Sequence, residues 1–170
     1  MKDNVVNIVE KDKYLSIQND EIMVKCKSMK ELKCCSEMLD AILNKGKALV
    51  SIDYMDFIDK PGTTEYDFEL EEDITLDASG EYLSKMELCT NFKSIMCIVG
   101  NVSFANVTDI MEKLMNIIEN HKDITEKHTE VMENHMGVKD KTHTKNVLFT
   151  FVYDEKYQED KFDIYVWKEV

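Results

Sequence analysis

Apolar and polar positions recur at two periods along this chain, and the changes of period mark its elements. Leu15 and Ile17 share one face of an extended segment; Ile22, Val24 and Cys26 share a face of the next. Gln18-Asn19-Asp20 lies between them as a turn, so residues 5–26 read as two strands. The period lengthens at Ser28. Met29, Leu32, Cys35, Leu39 and Ile42 recur at helical spacing, Ser28 and Glu31 form a capping-box pattern, and Gly46 supplies a stop. The spacing predicts a helix over 29–45.

Two-residue alternation returns over 48–58, where Val50, Ile52 and Tyr54 would share a face, and the pattern predicts a strand. Lys60-Pro61-Gly62 marks a turn. In the following strand Tyr66, Phe68 and Leu70 point inward, and Glu65, Asp67, Glu69 and Glu71 point outward. Tyr82, Leu83 and Met86 suggest a short helix in 79–88. Ile95 to Val99 is continuously apolar, as in a central strand. A long helical pattern covers 106–136. Leu148–Tyr153 and Phe162–Trp167, flanking a polar loop, read as a hairpin. The expected order is ββαββ(α)βαββ: one α+β domain over 1–170, a mostly antiparallel sheet with two main helices on one face.

The long helix carries a second pattern. Ile110, Leu114, Ile117, His121, Ile124, His128, Val131 and His135 are spaced alternately four and three apart, an a/d seam. Unbroken, 106–136 would be about 46 Å long at 1.5 Å per residue. A compact chain of this length has a radius of gyration of about 15–16 Å. The distal half would then project and need a partner, which a second copy could supply. Alternatively, Asp123-Ile124-Thr125-Glu126 caps a new helix and splits the segment in two. A His-lined seam would weaken near pH 6, because burial disfavours the imidazolium. Residues seven apart lie roughly 10.5 Å apart along the axis, so no two of these histidines can share a metal ion unaided.

Charge changes the functional picture most. The chain of 170 residues holds 34 acidic and 21 basic side chains, net −13, and every basic one is lysine. Such a surface repels nucleic acid and anionic membranes and attracts cationic partners. Without arginine it also lacks the bidentate fork usual at phosphate sites. Seven of the thirteen residues from Glu65 to Asp77 are acidic. Along a strand, Glu65, Asp67, Glu69 and Glu71 would form a row of carboxylates about 6.8 Å apart. With Glu72 and Asp73 they are the candidate partner-binding residues. Such a row imitates the phosphates of a nucleic-acid strand and would suit a Lys/Arg-lined groove. Alternatively it is the solvated side of an edge strand, or is neutralised by lysines across the sheet.

Signals for catalysis are weak. No GxGxxG, P-loop, HExxH or GxSxG pattern occurs. Cys26, Cys34, Cys35, Cys89 and Cys97 are odd in number and irregular in spacing, which argues against a disulfide framework and for reduced thiols. No metal or cofactor is expected. The short apolar stretch Val5–Val9 is too brief for a signal peptide, and no run spans a membrane, so a cytoplasmic location is expected. The composition is similar to that of small inhibitor and immunity proteins of AT-rich bacteria and their phages. The expected function is that of an acidic inhibitor docking on a basic protein surface, such as that of a nucleic-acid-processing or defence enzyme. The alternatives are a homodimeric scaffold built on the long helix and an enzyme or small-ligand protein whose site is assembled in space.

Overall fold

A computed structural model describes residues 5–58, 61–76, 93–113, 116 and 147–170. The described strands are β1 (Ile8–Lys11), β2 (Tyr14–Ile17), β3 (Ile22–Lys25), β4 (Thr64–Thr75), β5 (Ser94–Gly100), β6 (Val147–Tyr153) and β7 (Lys161–Glu169). They form one sheet in the order β1-β2-β3-β4-β7-β5-β6. The sheet is mixed: β3 pairs with β4 and β5 with β6 in parallel, and the other neighbours run antiparallel. The α+β class therefore holds, and the expected mostly antiparallel sheet and element order are met only in part.

The first correction lies at the start. Residues 5–26 hold three strands, with β1 hydrogen-bonded along β2. The turn between β2 and β3 is tight because Gln18, Asn19 and Asp20 all adopt positive φ, at 48°, 55° and 69°. Asparagine and aspartate tolerate that conformation better than most residues.

Helix α1 (Met29–Leu43) follows the sequence pattern closely. The Ser28 side chain accepts the Glu31 backbone N–H, and the Glu31 carboxylate accepts the Lys27 N–H. Leu32, Cys35, Leu39 and Ile42 are buried; Met29, at the first turn, is exposed. Gly46 takes φ +60° just past the helix, and the Lys47 N–H bonds to the Ala41 carbonyl.

The predicted strand over 48–58 is absent. Asp53 and Asp56 form a reciprocal capping box that starts a 3-10 helix, Tyr54–Phe57. That local closure competes with extension and wins. It delivers Phe57 into the core, edge-on to Tyr66 and Trp167 with centroids 5.6 and 5.9 Å away. Just before it, Leu49 N–H bonds to the Phe151 carbonyl, and the Thr150 hydroxyl bonds to the Val50 carbonyl.

The predicted β6–β7 hairpin is also overturned. β5 lies between those strands, and β7 lies between β4 and β5. The cause is visible in β7, where Phe162, Ile164 and Val166 face one side and Tyr165 and Trp167 the other, all buried. A strand apolar on both faces needs an interior position.

The helices accordingly cover opposite faces. α1 packs with Leu15, Ile17, Val24, Tyr66, Phe68, Cys97 and Trp167. The second helix, α2, is described over residues 104–113; its Val107 and Ile110 pack on Met96, Ile98, Ile164 and Val166. Two helices on one face would have left one of these apolar surfaces bare. Full burial is worth roughly 1.5–3 kcal/mol for each large apolar side chain. The short helix expected over 79–88 lies outside the described residues.

Candidate docking face

α2 covers the β5–β7 half of its face. On the β1–β4 half of that same face the strands carry polar side chains. In β4 the predicted alternation is present: Thr64, Tyr66 and Phe68 are buried, and Glu65 and Asp67 between them are exposed. β4 is an interior strand, however, paired to β3 on one side and β7 on the other, so protection of a sheet edge is not its role.

Register then decides what surrounds each carboxylate. Lys25 on β3 is the cross-strand partner of Asp67, and Lys168 on β7 is its partner on the other side. The same row continues through Tyr14 to Lys11. The next row runs Val9, Ser16, Met23, Glu65. Asp67 therefore sits between two lysines, and Glu65 beside a methionine.

Three of the six candidate carboxylates are paired. Lys168 Nζ lies 2.7 Å from Glu69 Oε2, with both side chains largely shielded from solvent. Lys30 Nζ lies 2.7 Å from Glu72, which raises the lysine's pKa through that hydrogen bond. Lys161 lies 3.6 Å from Asp73. The two more exposed pairs, those of Glu72 and Asp73, are screened by solvent and contribute little to stability. They do, however, remove negative potential from that end of the strand.

The straight row also breaks. A register shift between Glu71 and Ile74 marks a bulge, where Asp73 adopts φ 61° and gives its N–H to Asp163. Ile74 thereby turns into the α2-side core. Glu65, Asp67 and Glu71 remain without an ion pair among the described residues. Glu65 and Asp67 are exposed, and Glu71 is half-buried.

Two open grooves adjoin on this face. One, of about 500 Å³, is lined by Lys13, Lys25, Lys27, Asp67, Glu69 and Lys168, among others. The other, of about 410 Å³, is lined by Lys13, Tyr14, Met23, Lys25, Glu65 and Asp67, among others. Lys13, Lys25 and Asp67 belong to both, so the grooves form one trough over β3 and β4. Lysines across the sheet are one of the alternatives the sequence offers; register identifies them as Lys25 and Lys168. Two-residue alternation could have placed Lys25 on the polar face of β3, but no local signal shows that β3 and β7 flank β4.

Of the proposed pairing seam, Ile110 is fully buried against its own sheet, so it is engaged within the fold. Leu114, Ile117, His121, Ile124, His128, Val131 and His135 lie outside the described residues.

Cys26, Cys35 and Cys97 are buried free thiols, and Cys34 is partly exposed. Burial raises the pKa of Cys34, Cys35 and Cys97 above the ordinary thiol value. Among the described residues, no three His, Cys, Asp or Glu side chains converge as metal ligands, and no helix is long and apolar enough to cross a membrane. The chain matches no known family, and no curated protein resembles it significantly in sequence.

Proposed function

We propose that this protein works by binding, docking on a basic surface of a partner through the open half of its sheet. The observation that carries the reading is the pair Glu65 and Asp67. Both are exposed on one face of an interior strand, about 6.8 Å apart, and neither forms an ion pair among the described residues. In a chain of net charge −13, the long-range field steers cationic surfaces toward it. The partner class is a protein with a lysine- or arginine-lined groove, of the kind that handles nucleic acid, and the effect of docking is inhibition by occupation of that groove. The focus shifts from the whole acidic stretch to the Glu65–Asp67 end, because Glu69, Glu72 and Asp73 hold lysines of their own chain.

The test compares two double variants of equal net charge. Glu65→Lys/Asp67→Lys alters the proposed face; Glu155→Lys/Glu159→Lys alters exposed residues between β6 and β7. Each is immobilised and challenged with lysate from the source cells, then eluted by salt. Proteins of high isoelectric point should be retained by wild type and by the Glu155/Glu159 variant but lost by the Glu65/Asp67 variant. Equal retention by both variants would reduce the attraction to bulk charge and overturn the docking face.

A further inference from the structure

We infer that the trough over β3 and β4 takes an extended peptide segment whose successive side chains alternate basic and acidic. This inference rests on the reading of the face as a docking surface and narrows its occupant from a uniformly basic groove to a segment of mixed charge.

The trough has two lanes of opposite sign. The β4 lane carries Glu65 and Asp67; the lane over β2 and β3 carries Lys25 and Lys13, with Tyr14 across from Lys25 and Met23 two residues before it. The lanes are one strand apart, about 4.8 Å. A uniformly cationic surface laid over Asp67 would bring like charges against Lys25 on one side and Lys168 on the other. Lys168 is already held by Glu69 at 2.7 Å, so its charge is balanced within the chain. Lys25 has no ion pair among the described residues and is exposed, so it is open to a counter-charge from the occupant.

An extended peptide meets both demands. Its side chains project alternately to either side, and residues two apart recur at about 6.8 Å, the spacing of Glu65 and Asp67 along β4. A segment lying along the strands therefore sets basic groups at positions i and i+2 against the two carboxylates. Position i+1 falls over the other lane at a level between Met23 and Lys25, within reach of the flexible Lys25 side chain for an acidic group. The run from Glu65 to Glu69 is about 14 Å long and accommodates four to five extended residues. A helix repeats a face at about 5.4 Å per turn and puts its charges in a single stripe, so it matches neither the pitch nor the two lanes.

Fluorescence anisotropy with labelled octapeptides tests this on the full chain. The probes are an alternating Lys-Glu peptide, its block isomer (four Lys, then four Glu) and an all-Lys peptide. The alternating peptide should bind at least tenfold more tightly than the block isomer. Lys25→Glu, an exposed substitution, should weaken the alternating peptide at least fivefold and strengthen the all-Lys peptide, a reversal that mere unfolding would not produce. Near-equal binding of the two isomers overturns the inference. So does tightest binding of the all-Lys peptide to the wild type, which would leave the simpler cation-binding face intact. Absence of peptide binding, alongside lysate capture sensitive to Glu65→Lys/Asp67→Lys, overturns it as well and points to a folded partner surface.

Discussion

The indole N–H of Trp167 donates to the sulfur of Cys35 at 3.2 Å, joining β7 to α1 at the centre of the core. Both residues are fully buried, and Trp167 also packs against Phe57, Phe68 and Tyr165. Replacing Cys35 by Ala would leave a buried donor without its acceptor, at a cost of about 1–3 kcal/mol. Urea unfolding of C35A should show a lower midpoint. Trp167 is the single tryptophan, so its emission should also move when its surroundings change. An unchanged midpoint would mean that the bond contributes nothing net.

Gly100 ends β5 where β7 passes closest. A Cβ built there would clash with the Lys161 carbonyl oxygen and lie 2.5 Å from Phe162 Cβ. Both neighbours are backbone or fixed core atoms and cannot swing away. Gly100→Ala should therefore destabilise the protein by about 2 kcal/mol or more, read as a lower thermal midpoint.

Asp20 gives a pH dependence with a definite sign. Its carboxylate accepts from the Ser16 hydroxyl and, at 3.3 Å, from Lys11, and these bonds hold its pKa below the ordinary 3.8. The folded state thus favours the ionised form. The stabilisation is fully present above the unfolded pKa and is lost as pH falls through the depressed folded value. Relative to Asp20→Asn, the wild type should keep a constant stability advantage from neutral pH down to about 5, and lose it progressively as pH falls below the ordinary 3.8. Urea midpoints across that range check the prediction.

Thiol chemistry should be graded by burial. Cys34 is partly exposed, and Cys26, Cys35 and Cys97 are enclosed. Iodoacetamide on the folded protein should label Cys34 before those three, yet more slowly than an open thiol, because burial raises the Cys34 pKa. Peptide mapping by mass reads the order. First labelling of Cys97 would contradict the packing.

What the sequence discloses here is local, and what it conceals is lateral. Ser28, Glu31 and the Leu32–Cys35–Leu39–Ile42 stripe announce α1, and the Tyr66–Phe68 alternation announces β4, because each signal lies within a few residues. The 48–58 strand is misread because alternation at Val50 and Ile52 is also compatible with an irregular segment, and the Asp53–Asp56 capping pair outweighs it. The β6–β7 hairpin is misread because neighbours in sequence are assumed to pair, whereas the two apolar faces of β7 demand flanking strands. The candidate site shares this divide. Exposure of Glu65 and Asp67 is legible from period two alone. The lysines that flank Asp67 come from residues 25 and 168, and only the sheet order brings them together.

The interior place of β7 has a consequence for assembly. Every other described strand precedes it in the chain, yet it alone hydrogen-bonds the β1–β4 group to the β5–β6 pair. During synthesis, a ribosome that has reached residue 160 has added every other described strand, yet the facing borders β4 and β5 both await the same missing ribbon. Long-range closure of this kind is slow, and such borders invite association with other nascent chains. Co-translational folding should therefore be late and abrupt, with protection from protease arriving only once Trp167 has cleared the exit tunnel.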